Sequence, residues 1–228
     1  MRCGLFGKLA SKRDFIAVNT PHGFLPVWEP WLQACVSASR EQLGDKWQTA
    51  YLAAPIWRFW LGSEICGTAI LGALMPSLDD AGRYFPLAVF AGADRGLAVP
   101  PPEFEAHDNW FKAAEDLLLS ALSPSTTFAK FCAALDLLAM PAAYPPITGP
   151  KTIAALSGGG GVVSPVDDSP PSRIFASLRL ADWAAAYASR SFWWTMGGVE
   201  FRPIALATRL MPRPALFSGM LTGNLRAY

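Results

Sequence analysis

Residues Ile56–Ala93 read IWRFWLGSEICGTAILGALMPSLDDAGRYFPLAVFAGA. Three apolar runs stand out: IWRFWLG after Pro55, then GTAILGALMPS, then RYFPLAVFAGA. Each is rich in aromatic and aliphatic residues, and Gly, Pro, Ser and Asp separate them. Such runs with short connections predict an antiparallel meander. A sheet with one wet face alternates apolar with polar residues, and these runs do not. Helices are therefore expected over both faces. The joint between the second and third runs is LMPSLDDAGRYFPL, Leu74 to Leu87. Asp bonds its own backbone and Gly accepts positive φ, so Asp79 to Gly82 reads as the turn of a hairpin. Pro76 then ends one strand and Tyr84 onward begins the next. Because Pro86 cannot donate to a ladder, that strand is expected at an edge or a bulge.

Upstream, RCGLFGKL reads as a first strand and RDFIAV as a second strand or an extended segment. In NTPHGFLPVWEPWLQACVSASREQLG, a cap-like Asn19-Thr20 precedes Pro21. Trp28, Trp31, Leu32, Cys35, Val36 and Leu43 follow at helical spacing and Gly44 ends the run. The two prolines inside predict a broken first turn. Downstream, Phe104 to Ala121 has the apolar spacing of a second helix. TTFAKFCAALDLLA is a third, capped by Ser125 or Thr126. Residues 141–173 are rich in Pro, Gly and Ser and read as a flexible excursion within a single domain spanning 1–228. LRLADWAAAYAS then reads as helix, SFWWTMGG and RPIALATRL as strands that complete the first sheet, and PALFSGMLTG as a short terminal helix. The expected class is α/β: a three-layer αβα sandwich whose largely antiparallel or mixed central sheet is covered by helices on both faces.

Composition agrees with a filled core. Of 228 residues, 52% are hydrophobic and 16% charged, against roughly 25% charged in ordinary domains. The net charge is +1 and the basic residues are scattered, which argues against a nucleic-acid or membrane-surface partner. The longest apolar run, CGTAILGALMP, is too short to span a bilayer. MRCGLFGKLASKRDF lacks the apolar core of a signal peptide, so the cytoplasm is expected.

Little in the chain resembles a catalytic or metal-binding set. Cys3, Cys35, Cys66 and Cys132 form no CxxC and have no His at ligand spacing, so buried thiols are expected rather than disulfides or a zinc site. Neither a metal nor a cofactor is expected. His22 and His107 sit in no nucleophile context, and His107 reads as a solvated helix residue. SGGGGVV lacks both GK[ST] and GxGxxG and reads as a linker. The paired carboxylates Asp79-Asp80 and Asp167-Asp168 favour turns. One enzymatic reading remains open, a small hydrolase or phosphatase in which Arg83 grips a phosphate while Asp79 or Asp80 handles the proton. A non-enzymatic chain is the favoured reading. Among nine tryptophans, Trp193 and Trp194 should lie on opposite faces of a strand. Trp beside Arg suits a protein interface, which makes Trp57, Arg58, Asp79, Arg83, Trp193 and Trp194 the candidate partner-binding residues.

CGLFGKLASKRDF, PIWRFWLG, GALMPSLDDAGRYFPL, SFWWTMGG and LFSGMLTG occur in the order found in the TagF/ImpM family, which this chain resembles over most of its length. The match is weakest between about Glu103 and Pro171. That family accompanies bacterial type VI secretion systems. The resemblance implies an αβα sandwich and a cytoplasmic repressor of secretion-system assembly or activity. Such a repressor acts after translation by protein–protein contact, beside a threonine-phosphorylation pathway. A forkhead-associated scaffold is the implied partner. A structural accessory component of the apparatus is the alternative within the same system. The chain departs from the family pattern at Ala10, where Pro is usual, at Arg13, where Gly is usual, at Asp80, where a basic residue is usual, and near the end, where RLMPRP replaces GLP.

Overall fold

The computed structural model describes residues 2–92, 97–143, 154–155, 162–163, 171–172, 175, 186–198 and 201–225. The strands are β1 (Gly4–Gly7), β2 (Ile16–Val18), β3 (Trp57–Leu61), β4 (Ile70–Met75), β5 (Leu87–Gly92), β8 (Arg190–Thr195) and β9 (Ile204–Arg209), with a separate pair, β6 (Ala154–Ala155) and β7 (Val162–Val163). The helices are α1 (Leu25–Leu43), α2 (Trp47–Ala53), α3 (Ser63–Cys66), α4 (Asp108–Ser120), α5 (Phe128–Leu137) and α6 (Phe217–Thr222). The seven main strands run β2-β1-β5-β4-β3-β8-β9, and every pairing is antiparallel. The predicted meander β3-β4-β5 forms the centre. β8 and β9, from the C-terminal part, extend it beyond β3, as expected.

Strand alternation splits the core into two layers. Trp57, Phe59, Leu61, Ile70, Leu74, Phe90 and Trp193 pack with Trp28 and Leu32 of α1 and Met220 of α6. Trp60, Leu71, Ala73, Val89 and Ala91 pack with Trp110, Phe111 and Leu118 of α4 and Phe131 of α5. Trp193 and Trp194 take opposite faces. Trp193 is fully buried, 5.9 Å from Trp28 and 5.2 Å from Phe59 between ring centres. Trp194 is half-buried and meets Phe111 edge-on at 4.9 Å. Gly72 makes the α1 face possible. It lies opposite Phe59 in the β3–β4 register, and a Cβ there would sit 2.3 Å from the Phe59 ring. Only glycine lets that ring lie across the strand.

Several local expectations are corrected. Helix α1 begins at Leu25 after an uncapped Phe24, because Asn19 is used elsewhere: it adopts φ 50° and its amide donates to Cys3 O at 3.1 Å. The first turn is not broken. Pro26 sits where no N–H is needed, and Pro30 forfeits one bond inside a continuous helix held by its buried face. Strand β5 begins at Leu87, not Tyr84, which makes only an isolated bridge to Leu78. It is also an interior strand, because Pro86 falls just before the ladder and costs it no bond. Phe104 is exposed and precedes α4. The cap of α5 is Thr127, whose side chain accepts from Lys130 N at 3.3 Å, not Ser125 or Thr126. His107 is buried in a left-handed conformation at the start of α4 and pairs with Pro100 O at 3.2 Å. It is therefore not a solvated helix residue. Burial draws its pKa below the ordinary imidazole value against the Pro100 carbonyl and Glu105. Helices α2 and α3 were not anticipated. The 141–173 excursion, with Asp167-Asp168 and most of LRLADWAAAYAS, lies largely outside the described residues.

Candidate functional site

The turn in LMPSLDDAGRYFPL closes as a reciprocal hairpin corner. Asp79 N donates to Arg83 O at 3.1 Å and Gly82 N donates to Asp79 O at 3.0 Å, with Gly82 at φ 74°. The Asp79 side chain is fully buried and both its oxygens are engaged. Oδ1 accepts from Ala81 N at 3.0 Å and Arg83 N at 2.8 Å. Oδ2 accepts from Lys8 Nζ at 2.5 Å and Arg83 Nε at 2.7 Å. A carboxylate offers about four lone-pair sites, so this one is saturated. Burial alone would raise its pKa. The bonds from Lys8 and from the backbone and side chain of Arg83 outweigh that and hold the carboxyl well below the usual range.

Lys8 is itself buried at the end of β1, its ammonium 4.5 Å from the Phe15 ring centre. The network continues through backbone and hydroxyls. Ser77 Oγ donates to Lys8 O at 2.7 Å, and Tyr51 of α2 donates to Ser77 O at 3.0 Å. On the outer side, Arg83 donates to Arg13 O at 2.7 Å. The exposed side chains of Arg13 and Asp80 approach to 4.0 Å. Two sequence motifs far apart in the chain are thus one ion-paired corner. Its chemistry is that of a brace: no free lone pair on Asp79 faces solvent.

The remaining candidates divide. Trp57 and Trp193 are buried and present no surface to a partner, because the α1 layer and α6 cover them. Trp57 Nε1 donates to Met220 O at 3.0 Å. Arg58 is also buried, pointing under α4, where it forms a two-pronged pair with Glu115 at 2.6 and 3.0 Å and lies 5.2 Å from the Phe111 ring. Only Arg83, with its side chain 58% exposed, and half-buried Trp194 reach the surface. Trp57 and Trp193 therefore add no exposed surface beside Arg83. The expected buried thiols hold for Cys3, Cys35 and Cys66, and burial pushes Cys66 up to about 12. Cys132 is only half-buried.

What lies beside the brace is a groove of about 590 Å³ at one end of the sheet. Its floor comes from Ala10 after β1, Pro55-Ile56 before β3, Met75 to Leu78 from the end of β4 and Thr195 to Gly197 from the end of β8. Its walls are the C-terminal ends of α2 and α4. Four of its side chains are large, apolar and exposed: Leu52, Leu119, Leu122 and Met196, at 54, 49, 65 and 64%. The charged residues lining it are Glu115 and Asp116. Each of the motifs CGLFGKLASKRDF, PIWRFWLG, GALMPSLDDAGRYFPL and SFWWTMGG contributes to its floor. Sequence reasoning missed the rim, although the run Leu117-Leu118-Leu119 carries a signal. Three consecutive leucines cannot all lie on one helix face; Leu119 is the one left exposed, joined by Leu122 in the turn just past the end of α4. Among the described residues no three His, Cys, Asp or Glu gather as metal donors, and no helix is long and apolar enough to cross a membrane.

The family model of the TagF N-terminal domain, type VI secretion system-associated, matches residues 4–138. The chain belongs to the TagF family. The matched span carries β1 to α5, hence the brace and most of the groove. The crystal structure of PA0076 from Pseudomonas aeruginosa PAO1 is similar to this TagF-family chain at 31% sequence identity, covering 97% of this chain and 94% of that one, with a TM-score of 0.77. That likeness includes β8, β9 and α6, so the fold extends beyond the matched family domain. No curated protein matches the chain.

Proposed function

We propose that this TagF-family chain is a cytoplasmic regulator that holds a type VI secretion system in check after translation. It acts by protein–protein contact rather than by chemistry of its own, and a forkhead-associated scaffold protein is its partner. One observation carries the reading: the family's motifs meet at an exposed apolar groove, while Asp79, the buried carboxylate among them, is saturated by internal donors and its exposed neighbour Asp80 only approaches Arg13. Exposed apolar surface of this kind is the usual mark of a protein contact. An acid–base or phosphate-gripping role for Asp79 and Arg83 would need groups free to reach a substrate.

Deleting the gene and measuring effector secretion tests the reading. Secretion should rise under conditions that keep the wild type silent, and purified chain should retain the forkhead-associated scaffold in a pull-down. Unchanged secretion in the deletion strain under all conditions refutes regulation. Recovery of the chain as a stoichiometric part of purified secretion particles would replace it with the structural-component reading.

A further inference from the structure

We infer that the groove between the ends of α2 and α4 receives a basic amphipathic helix of a partner protein. This inference rests on the regulatory reading above and names the surface that serves it. The rim is apolar on both walls, with Leu52 on one side and Leu119 and Leu122, three residues apart, on the other; Met196 lies at the end of the floor. Such a trough suits the i, i+3, i+4, i+7 anchors of a helix laid into a groove. A small polar ligand would need converging free polar groups, and the groove offers few. Ser77 is bonded to Lys8 O, Thr195 accepts from Gly197 N, and Glu115 holds Arg58.

The charge of the occupant follows from what remains. Asp116 is exposed at the rim and forms no ion pair among the described residues. The negative end of the α4 dipole opens onto the same wall, and no lysine or arginine lines the groove. In a chain of net charge +1 this acidity is local. It selects lysines or arginines flanking the apolar anchors and rejects nucleic acid and acidic segments.

The test uses the full chain and two fluorescein-labelled helical peptides that share leucines at i, i+3, i+4 and i+7. One carries lysines on its flanks and the other glutamates. Fluorescence anisotropy at low salt should show the lysine peptide binding about tenfold more tightly, with the preference shrinking as salt rises. Asp116→Lys should reverse the preference, and Leu119→Asp should abolish binding of both; both positions are exposed, so thermal melting should be unchanged. Equal binding of the two peptides, no binding, or a preference that survives Asp116→Lys overturns the inference. So does a concentration-dependent dimer in sedimentation that Leu122→Asp dissolves, since a second copy would then fill the groove. In the host, an Asp116→Lys/Leu119→Asp chain should behave like the deletion. If that chain controls secretion as the wild type does, the groove inference falls and regulation stands. If the deletion itself is silent, the regulatory reading falls.

Discussion

Replacing Arg58 with alanine removes a guanidinium that is 10% exposed and bonded at 2.6 and 3.0 Å to both oxygens of Glu115, whose side chain is 21% exposed. Taking one member from a buried pair typically costs about 3–5 kcal/mol, because the other charge is left unsolvated. Glu115 retains a path to water, so its residual penalty is smaller. The Arg58 guanidinium also lies over the Phe111 ring at 5.2 Å, and that contact is lost as well. The expected loss is about 2–4 kcal/mol, or roughly 5–15 °C in Tm for a chain of this size. The alternative, that Arg58 serves a partner at the surface, predicts a near-neutral effect on stability and a loss of binding. A double-mutant cycle separates them. Arg58→Ala and Glu115→Ala should each destabilise in urea unfolding, with strong coupling between them. Arg58→Met with Glu115→Leu should recover most of the loss, since apolar groups of similar volume can replace a buried pair. A cost below about 0.5 kcal/mol for Arg58→Ala, or no coupling with Glu115, would refute the internal role. Because Glu115 also lines the groove, the pair fixes α4 against the sheet and holds one wall in place.

Other perturbations probe the brace and the sheet. Asp79 has a folded-state pKa below its unfolded value, so its contribution is complete above the ordinary carboxylate range and is lost as pH falls through that range toward the folded value. The stability gap between wild type and Asp79→Asn should accordingly be constant above about pH 5 and close below it, which urea titrations across pH will show. Gly72→Val places atoms inside the Phe59 ring and should cost at least about 1–3 kcal/mol by overpacking, measured by thermal melting. Trp193→Ala empties a fully buried site between Trp28 and Phe59 and should cost about 3–5 kcal/mol. Trp194→Ala, at a half-buried site, should cost clearly less in the same assay. Iodoacetamide labelling of the native chain should modify half-buried Cys132 well before buried Cys35 and Cys66.

The central strands were legible because three apolar runs and their turn residues lie consecutively in Ile56–Ala93, and local pattern suffices for a meander. The buried face of α1 was legible for the same reason, since Trp28, Trp31, Leu32, Cys35 and Val36 repeat at helical spacing. Helix α2 was not, because only Trp47 and Tyr51 of its seven residues are buried, too short a span for a period to show. The corner motif was recognised as a turn, but its partner was invisible. Lys8 lies 71 positions from Asp79, and nothing local distinguishes a lysine about to be buried from one facing water. Trp57 and Trp193 misled in the opposite sense. Trp beside Arg is a pattern of interfaces, and here the interface is the one between this protein's own layers.

The brace and the groove also explain each other. A hairpin corner of two adjacent aspartates, a proline on either side and a glycine would ordinarily move freely at the end of a sheet. Here Oδ2 of Asp79 ties it to Lys8, the residue just after β1, and Ser77 ties it to Tyr51 of α2. Met75 to Leu78, which run into that corner, form part of the groove floor. Holding the floor still removes an ordering cost that a binding partner would otherwise meet. A saturated carboxylate is poorly suited to exchanging protons with a substrate, and well suited to fixing backbone. The charges of the motif therefore act on the groove through position, and the residues that would touch a partner are the apolar ones beside them.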